Sequence, residues 1–351
     1  MNEDPRLREG LQAHVSPSGS VAADARNGVY AALDLGTNNC RLLIASPSGD
    51  GFRVVDSFSR IIRLGEGISA TGSISEAAID RAIAALSICS DKIRYRKAKR
   101  LRLIATEACR AAANADSFRA RVADETGIRL EVIDRETEAT LAVVGCSPLL
   151  DVRGRGAILF DIGGGSTELV RIERDPDGQN AVPRTKAWMS MPLGVVTLAE
   201  HFGGKDVTPQ SYTSMVEKVA RHVAPFAAQH GGDLTEMHLL GTSGTVTTLA
   251  GVHLDLERYD RRRVDGLWMD RDSVDRMVER LVGWDFQQRC ANPCIGADRA
   301  DLVLAGCAIL EAIRAVWPSE RLRVADRGLR EGILSELMAD DGVWRDGGRR
   351  A

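Results

Sequence analysis

Aromatic residues are scarce in this chain, at 5% of 351 residues, and no run is apolar over the length of a membrane-spanning helix. The first shortage leaves the core to aliphatic side chains, within a hydrophobic total of 44%. The second excludes a helical membrane anchor as the expected architecture. An excess of charge is missing too: the formal net charge is −3. A general nucleic-acid binder carries a basic footprint, so nucleic acid is not an expected partner. Residues 1–27 are polar and have no apolar stretch of the kind an export signal needs, so they read as a disordered tail of a cytoplasmic protein. Seven scattered cysteines do not suggest a disulfide framework. Their tightest pair, Cys290 and Cys294, lacks the second Cys or His pair that a zinc site requires.

What is present is a pattern that occurs twice. The first copy runs Tyr30-Ala-Ala-Leu-Asp34-Leu-Gly36-Thr37-Asn38-Asn39 and continues apolar to Ala45. The second runs Ala157-Ile-Leu-Phe-Asp161-Ile-Gly163-Gly164-Gly165-Ser166-Thr167-Glu168 and continues to Ile172. Each reads as a β-hairpin whose first strand ends in Asp and whose turn is rich in Gly and hydroxyl residues. Two copies this far apart imply duplicated domains facing each other across a cleft. Strands alternate with amphipathic helices along the rest of the chain, which indicates an α/β fold. The expected division is a tail at 1–27, one domain at 28–150, a second at 151–341 and a tail at 342–351. The last helix has the option of packing back towards the first domain.

Gly-rich turns let backbone N–H groups converge on an anion, and such nests hold phosphate. Gly36, Thr37 and Asn38 form one candidate nest; Gly163, Gly164, Gly165, Ser166 and Thr167 form another. Asp34 and Asp161 would stand beside that phosphate, where a carboxylate serves as a ligand for Mg²⁺. Glu168, on the outgoing strand of the second hairpin, would complete the metal set. The plain alternative is a pair of tight hairpins, but the repetition of Asp, Gly and hydroxyl favours phosphate. A third turn, Gly241-Thr242-Ser243-Gly244-Thr245, leads from a buried strand into a helix, whose N-terminus attracts anions. Ser243 and Thr245 also suit a helix cap. Spacing alone does not choose a general base between Glu136 and Glu138. Arg110 lies one helical turn beyond a strand end, within reach of any ligand held there. The basic run from Lys92 to Arg102 is read as a solvated face before it is read as a guide for an anionic chain.

Those motifs resemble the exopolyphosphatase and guanosine pentaphosphate phosphohydrolase family. The resemblance extends through Ala105-Thr-Glu-Ala-Cys-Arg110, Met191-Pro-Leu-Gly194, Arg299-Ala-Asp301 with Gly306, and Asp326-Arg-Gly-Leu-Arg-Glu-Gly332. It implies two actin-like (ribonuclease H-like) α/β domains with the active site in the cleft between them. It implies hydrolysis of a terminal phosphoanhydride of polyphosphate or of a hyperphosphorylated guanine nucleotide, with Mg²⁺ as cofactor. By the same resemblance Glu138 is the base that activates water, Asp161 and Glu168 are acids at the magnesium site, and Arg110 faces the substrate. Glycines 163 to 165 and the Gly241 turn would hold phosphates. Thr137 stands where the better-known form has an acid, which makes Glu138 the expected base and Glu136 the reserve. The chain ends near residue 351, so the expectation is a short form without the C-terminal helical extension of the long members. A homodimer is left open. The rival readings are a kinase or ATPase of the same superfamily, and a non-catalytic regulator that binds guanine alarmones.

Overall fold

The computed structural model describes residues 28–174 and 183–344. The expected tail at 1–27, and all of the C-terminal tail beyond Trp344, lie outside the described residues. Two compact units result. One holds the described residues up to Asp134 together with those from Leu329 onward; the other is Arg135–Gly328. The sequence reading set the boundary at 150/151. By contacts it falls at 134/135, because the helix Arg135–Cys146 buries Ala139 and Ala142 against the sheet of the second unit.

The first unit is built on β1 (Tyr30–Leu35), β2 (Asn39–Ser48), β3 (Gly51–Ile61), β4 (Arg100–Ala105) and β5 (Glu131–Val132), ordered β3-β2-β1-β4-β5. The second uses β6 (Gly156–Ile162), β7 (Thr167–Glu173), β8 (Arg184–Met191), β9 (Met237–Thr242), β10 (Trp268–Asp270) and β11 (Arg321–Ala325), ordered β10-β11-β9-β6-β7-β8. In each, the second strand of a hairpin and a further antiparallel strand lie on one side of the central strand. Two parallel strands lie on the other. β1 to β4 therefore correspond to β6 to β9, and β5 to β11. The duplication read from the two hairpins extends to whole sheets.

The central strands are apolar on both faces because both faces are covered. In the first unit, Leu33, Leu35, Leu42 and Ile44 pack in one cluster with the alanine-rich face of the helix Glu76–Tyr95. That helix starts at Ser75, whose side chain accepts from the Ala78 N–H. In the second unit Ile158, Phe160, Ile162 and Leu169 share a core with the helices Pro209–His230 and Val303–Val316. The opposite face, with Leu159, Val170, Ile172 and Leu240, lies under Arg135–Cys146. The helix Leu329–Asp340 packs on β1 within the first unit. None of the described helices is long and apolar enough to cross a membrane.

The basic run is largely neutralised within its own unit. Lys92 and Arg96 both bind Asp56, whose carboxyl they hold below its usual range, and Arg102 binds Glu131. It is a paired surface rather than a free positive track.

One buried group sets an acid limit on stability. His238 is the second residue of β9, is 2% exposed, and burial pushes its imidazole down to about 4. Asp151 opposes that shift, while Arg321 and Arg323 reinforce it. As the pH falls, the unfolded chain takes up this proton near 6.5 and the folded chain only near 4. Stability present at neutral pH is therefore lost across that window, to the extent of about 3 kcal/mol for a shift of this size. Urea midpoints measured from pH 7 to pH 4 should fall more steeply for the natural chain than for His238→Leu. Parallel pH profiles would refute the assignment.

Candidate active site

The two repeated turns share one construction. In the first, the Gly36 N–H donates to the Asn39 carbonyl at 2.9 Å. In the second, the Gly163 N–H donates to Ser166 at 3.0 Å. The carbonyls inside each turn are then taken by the loop that follows the third strand. Thr37 O accepts from Gly65 N, and Asn38 O from Ile62 N and Arg63 N, at 2.9–3.1 Å. Gly163 O accepts from Val195 N at 3.0 Å and Gly164 O from Val196 N at 2.8 Å. Among the described residues, the amides of Thr37 and Asn38, and of Gly164 and Gly165, have no such bond. With carbonyls fastened on one side, free N–H groups are what each turn offers an anion.

A glycine in each supporting loop makes this approach possible. A Cβ on Gly65 would lie 2.2 Å from the Thr37 methyl, and one on Gly194 would lie 2.4 Å from the Gly164 backbone. Thr167, expected as a phosphate donor, is fully buried and spends its hydroxyl proton on Leu193 O at 2.7 Å. It supports the turn rather than facing a ligand.

Strand register places the acids. Side chains alternate between faces, so Asp161 shares the face of Leu159 and Glu168 that of Val170. This is the face covered by Arg135–Cys146. Asp161 is registered with Glu168 on one side and Thr242 on the other, and Glu168 with Ser190. Ser190, Glu168, Asp161 and Thr242 thus form a row across four strands. Glu168 is 2% exposed and accepts the Ser190 hydroxyl at 2.8 Å. In the first unit the equivalent partner of Asp34 is Arg41. Burial raises the Asp34 carboxyl above its usual range, while Arg41 and Arg330 pull it down. One repeat therefore pairs acid with base where the other pairs acid with acid.

Two neighbouring carboxylates suit a divalent cation, since Mg²⁺ is commonly held by one or two of them plus water and substrate oxygens. Placed directly across two strands, they also repel when nothing neutralises them. Asp161 and Glu168 fit that role. Among the described residues no group of three or more Asp, Glu, His or Cys side chains gathers in this way. Asp34, expected alongside them, stands on the other sheet.

The third turn is strained. Ser243 has φ 79° and ψ −172°, a region that glycine alone enters freely, and its side chain does not cap the helix Gly244–His253. The Thr247 hydroxyl donates back to the Ser243 and Gly244 carbonyls at 3.0 and 3.2 Å. Thr245 packs so close to Gly306 that a Cβ there would meet its hydroxyl at 2.4 Å. The adjoining turn Asp326–Gly328 is fixed residue by residue. Tyr259 donates to the Asp326 carboxylate at 2.7 Å, Arg261 to its carbonyl, and its own N–H to Asp265. Asp265 also pairs with Arg327, whose carbonyl accepts from Thr242. Tyr259, Arg261 and Asp265 form no motif, and sequence reasoning missed them.

Glu138 lies half-buried in the first turn of its helix, whereas Glu136 is exposed. Arg110 is held by Glu107 at 2.8 Å and by the Ile133 carbonyl at 2.9 Å, which orients its guanidinium within the first unit.

Comparison with known proteins settles the family. The model of the Ppx/GppA phosphatase family matches residues 43–340. The chain belongs to that family. It is 30% identical over 320 residues to exopolyphosphatase 2 of Mycobacterium tuberculosis, covering 88% of this chain and 98% of that one. It is 28% identical to the guanosine-5'-triphosphate,3'-diphosphate pyrophosphatase of Photobacterium profundum, covering 89% of this chain but 59% of that longer protein. The crystal structure of the Aquifex aeolicus family member matches with a TM-score of 0.72 and 28% identity over 89% of this chain and 98% of that one. An exopolyphosphatase structure from Cytophaga hutchinsonii matches with a TM-score of 0.80 at 23% identity, over 89% of this chain and 98% of that one, which bears on the fold alone. This Ppx/GppA chain has the two-domain actin-like fold expected from its sequence.

If Gly194 is needed for its backbone approach, Gly194→Ala must displace the Gly163–Gly165 turn. Overpacking of this kind costs about 1–3 kcal/mol. The variant should fold with a lowered Tm and weakened tripolyphosphate binding by calorimetry. Unchanged binding would contradict the construction of the turn.

Proposed function

We propose that this protein hydrolyses the terminal phosphoanhydride of inorganic polyphosphate or guanosine pentaphosphate and releases phosphate. The observation that carries this reading is the second turn: free amides at Gly164 and Gly165 on a hairpin whose strands bring Asp161 and Glu168 side by side. Family membership supports it, since relatives named for each activity match most of this chain.

In this reading the amides of Gly164 and Gly165, with Ser166, hold oxygens of the phosphate to be released. The Ser243–Thr245 turn offers its helix N-terminus to a neighbouring phosphate. Glu138 takes a proton from the attacking water as that water meets phosphorus in line with the leaving oxygen. Magnesium, held by Asp161 and Glu168, would supply positive charge to the phosphate oxygens. Arg110 and the amides of the Gly36–Asn38 turn, on the first unit, are themselves suited to phosphate oxygens, the arginine to offset charge on equatorial ones. A polyphosphate and a guanosine pentaphosphate present the same anhydride to this chemistry, so the reading takes both as substrates.

Phosphate release from both substrates, with and without magnesium, is the direct test. Glu138→Gln should keep the fold and tripolyphosphate affinity but lose about 10²- to 10⁴-fold in turnover. Near-natural turnover would remove Glu138 from the role. Asp161→Asn should move the magnesium titration to higher concentration, and an unmoved titration would count against the acid pair.

A further inference from the structure

The row across the second sheet contains a residue that the motifs do not reach. Ser190 stands near the end of edge strand β8 and is registered directly opposite Glu168. Its hydroxyl donates to Oε1 of Glu168 at 2.8 Å. Glu168 is almost completely buried, so the rotamer of its carboxylate is decided by protein contacts rather than by solvent. A hydroxyl donor on Oε1, held in sheet register, helps fix the plane of the carboxylate. We propose that Ser190 is a positioning residue for the hydrolytic reaction, which orients Glu168 towards the cation that Glu168 and Asp161 share. The inference rests on the reading of that acid pair as a magnesium site.

Three features support an active alignment over a mere satisfaction of a buried acid. The interaction spans strands, so its geometry is set by sheet register and not by a flexible loop. The next residue, Met191, is buried and registered with Thr167, which pins the end of β8 beside the turn. The loop leaving β8 is the one that fastens Gly163 and Gly164 through Val195 and Val196. A single stretch, Ser190–Val196, thus sets both the carboxylate and the phosphate turn. Groups that hydrogen-bond a metal ligand commonly shift metal affinity by about 10- to 100-fold.

The test compares Ser190→Ala, Ser190→Thr and Glu168→Gln, alone and combined, in the full chain. Metal binding is read by titrating Mn²⁺ alone and with tripolyphosphate, followed by electron paramagnetic resonance. Phosphate release is read against magnesium concentration. Ser190→Ala should weaken Mn²⁺ binding and raise the magnesium requirement about 10-fold, with maximal turnover at saturating magnesium nearly kept. Ser190→Thr, which restores a hydroxyl, should recover most of the affinity. In a Glu168→Gln background, Ser190→Ala should have no further effect on the metal. Natural affinity in Ser190→Ala, or an equal loss with and without the Glu168 carboxylate, overturns the proposal. A natural protein that binds no Mn²⁺ under either condition, or that releases phosphate without magnesium, instead overturns the acid pair as a metal site. Should Ser190→Ala fail to fold, Ser190→Cys, a weaker donor of similar size, carries the same comparison.

Discussion

The structure depends on a backbone constraint: in each hairpin turn the carbonyls are bound from behind and the amides are left free. A peptide group cannot turn its C=O one way without presenting its N–H the other way. Fastening Thr37 and Asn38 to residues Ile62–Gly65, and Gly163 and Gly164 to Val195–Thr197, therefore orients the donors with no side chain involved. The supporting loops must come within backbone contact of the turns, which is why Gly65 and Gly194 tolerate no Cβ. The motif visible in the sequence as a turn takes this shape because a second glycine, some thirty residues downstream in each unit, lets a loop close on it.

Duplication supplies the scaffold, and divergence at one registered pair supplies the chemistry. Asp34 and Asp161 occupy the same place at the end of the central strand, each opposite the residue seven positions later. In the first unit that residue is Arg41, so the acid is offset locally. In the second it is Glu168, so two acids stand side by side across the strands. In the proposed function this asymmetry is what suits the second unit to a cation.

Much of this was legible in the sequence. The two hairpins, their acids and the α/β alternation are short-range patterns, and the hairpins reappear at nearly the residues expected, as β1–β2 and β6–β7. The family motifs named the Gly194 and Gly306 neighbourhoods without giving their reason, which is steric and therefore invisible until the chain is folded. The domain boundary was misplaced because the helix Arg135–Cys146 follows β5 in sequence but buries its apolar face on the second sheet. Thr167 was read as a donor since hydroxyls in a Gly-rich turn look alike; only the fold shows it turned inward to Leu193. Tyr259, Arg261 and Asp265 act through hydrogen bonds across more than sixty residues of chain, and no local pattern encodes such pairs.

The strain at Ser243 belongs with the close registry of Asp161 and Glu168. The strain does not serve the stability of the fold, since a glycine at 243 would relieve it. Each is held by neighbours that determine it from several sides: Thr247 bonds back to the two peptides around Ser243, and sheet register with Ser190 fixes Glu168. Groups kept in costly arrangements by a rigid surround are preorganised, so a ligand meets donors and charge already aimed and loses little in rearranging them. In the proposed function an anionic chain of phosphates with its counter-cation offers oxygens to the amides and positive charge to the acids. A neutral ligand would offer neither. These arrangements support the proposed reading of a polyanion that travels with a metal ion.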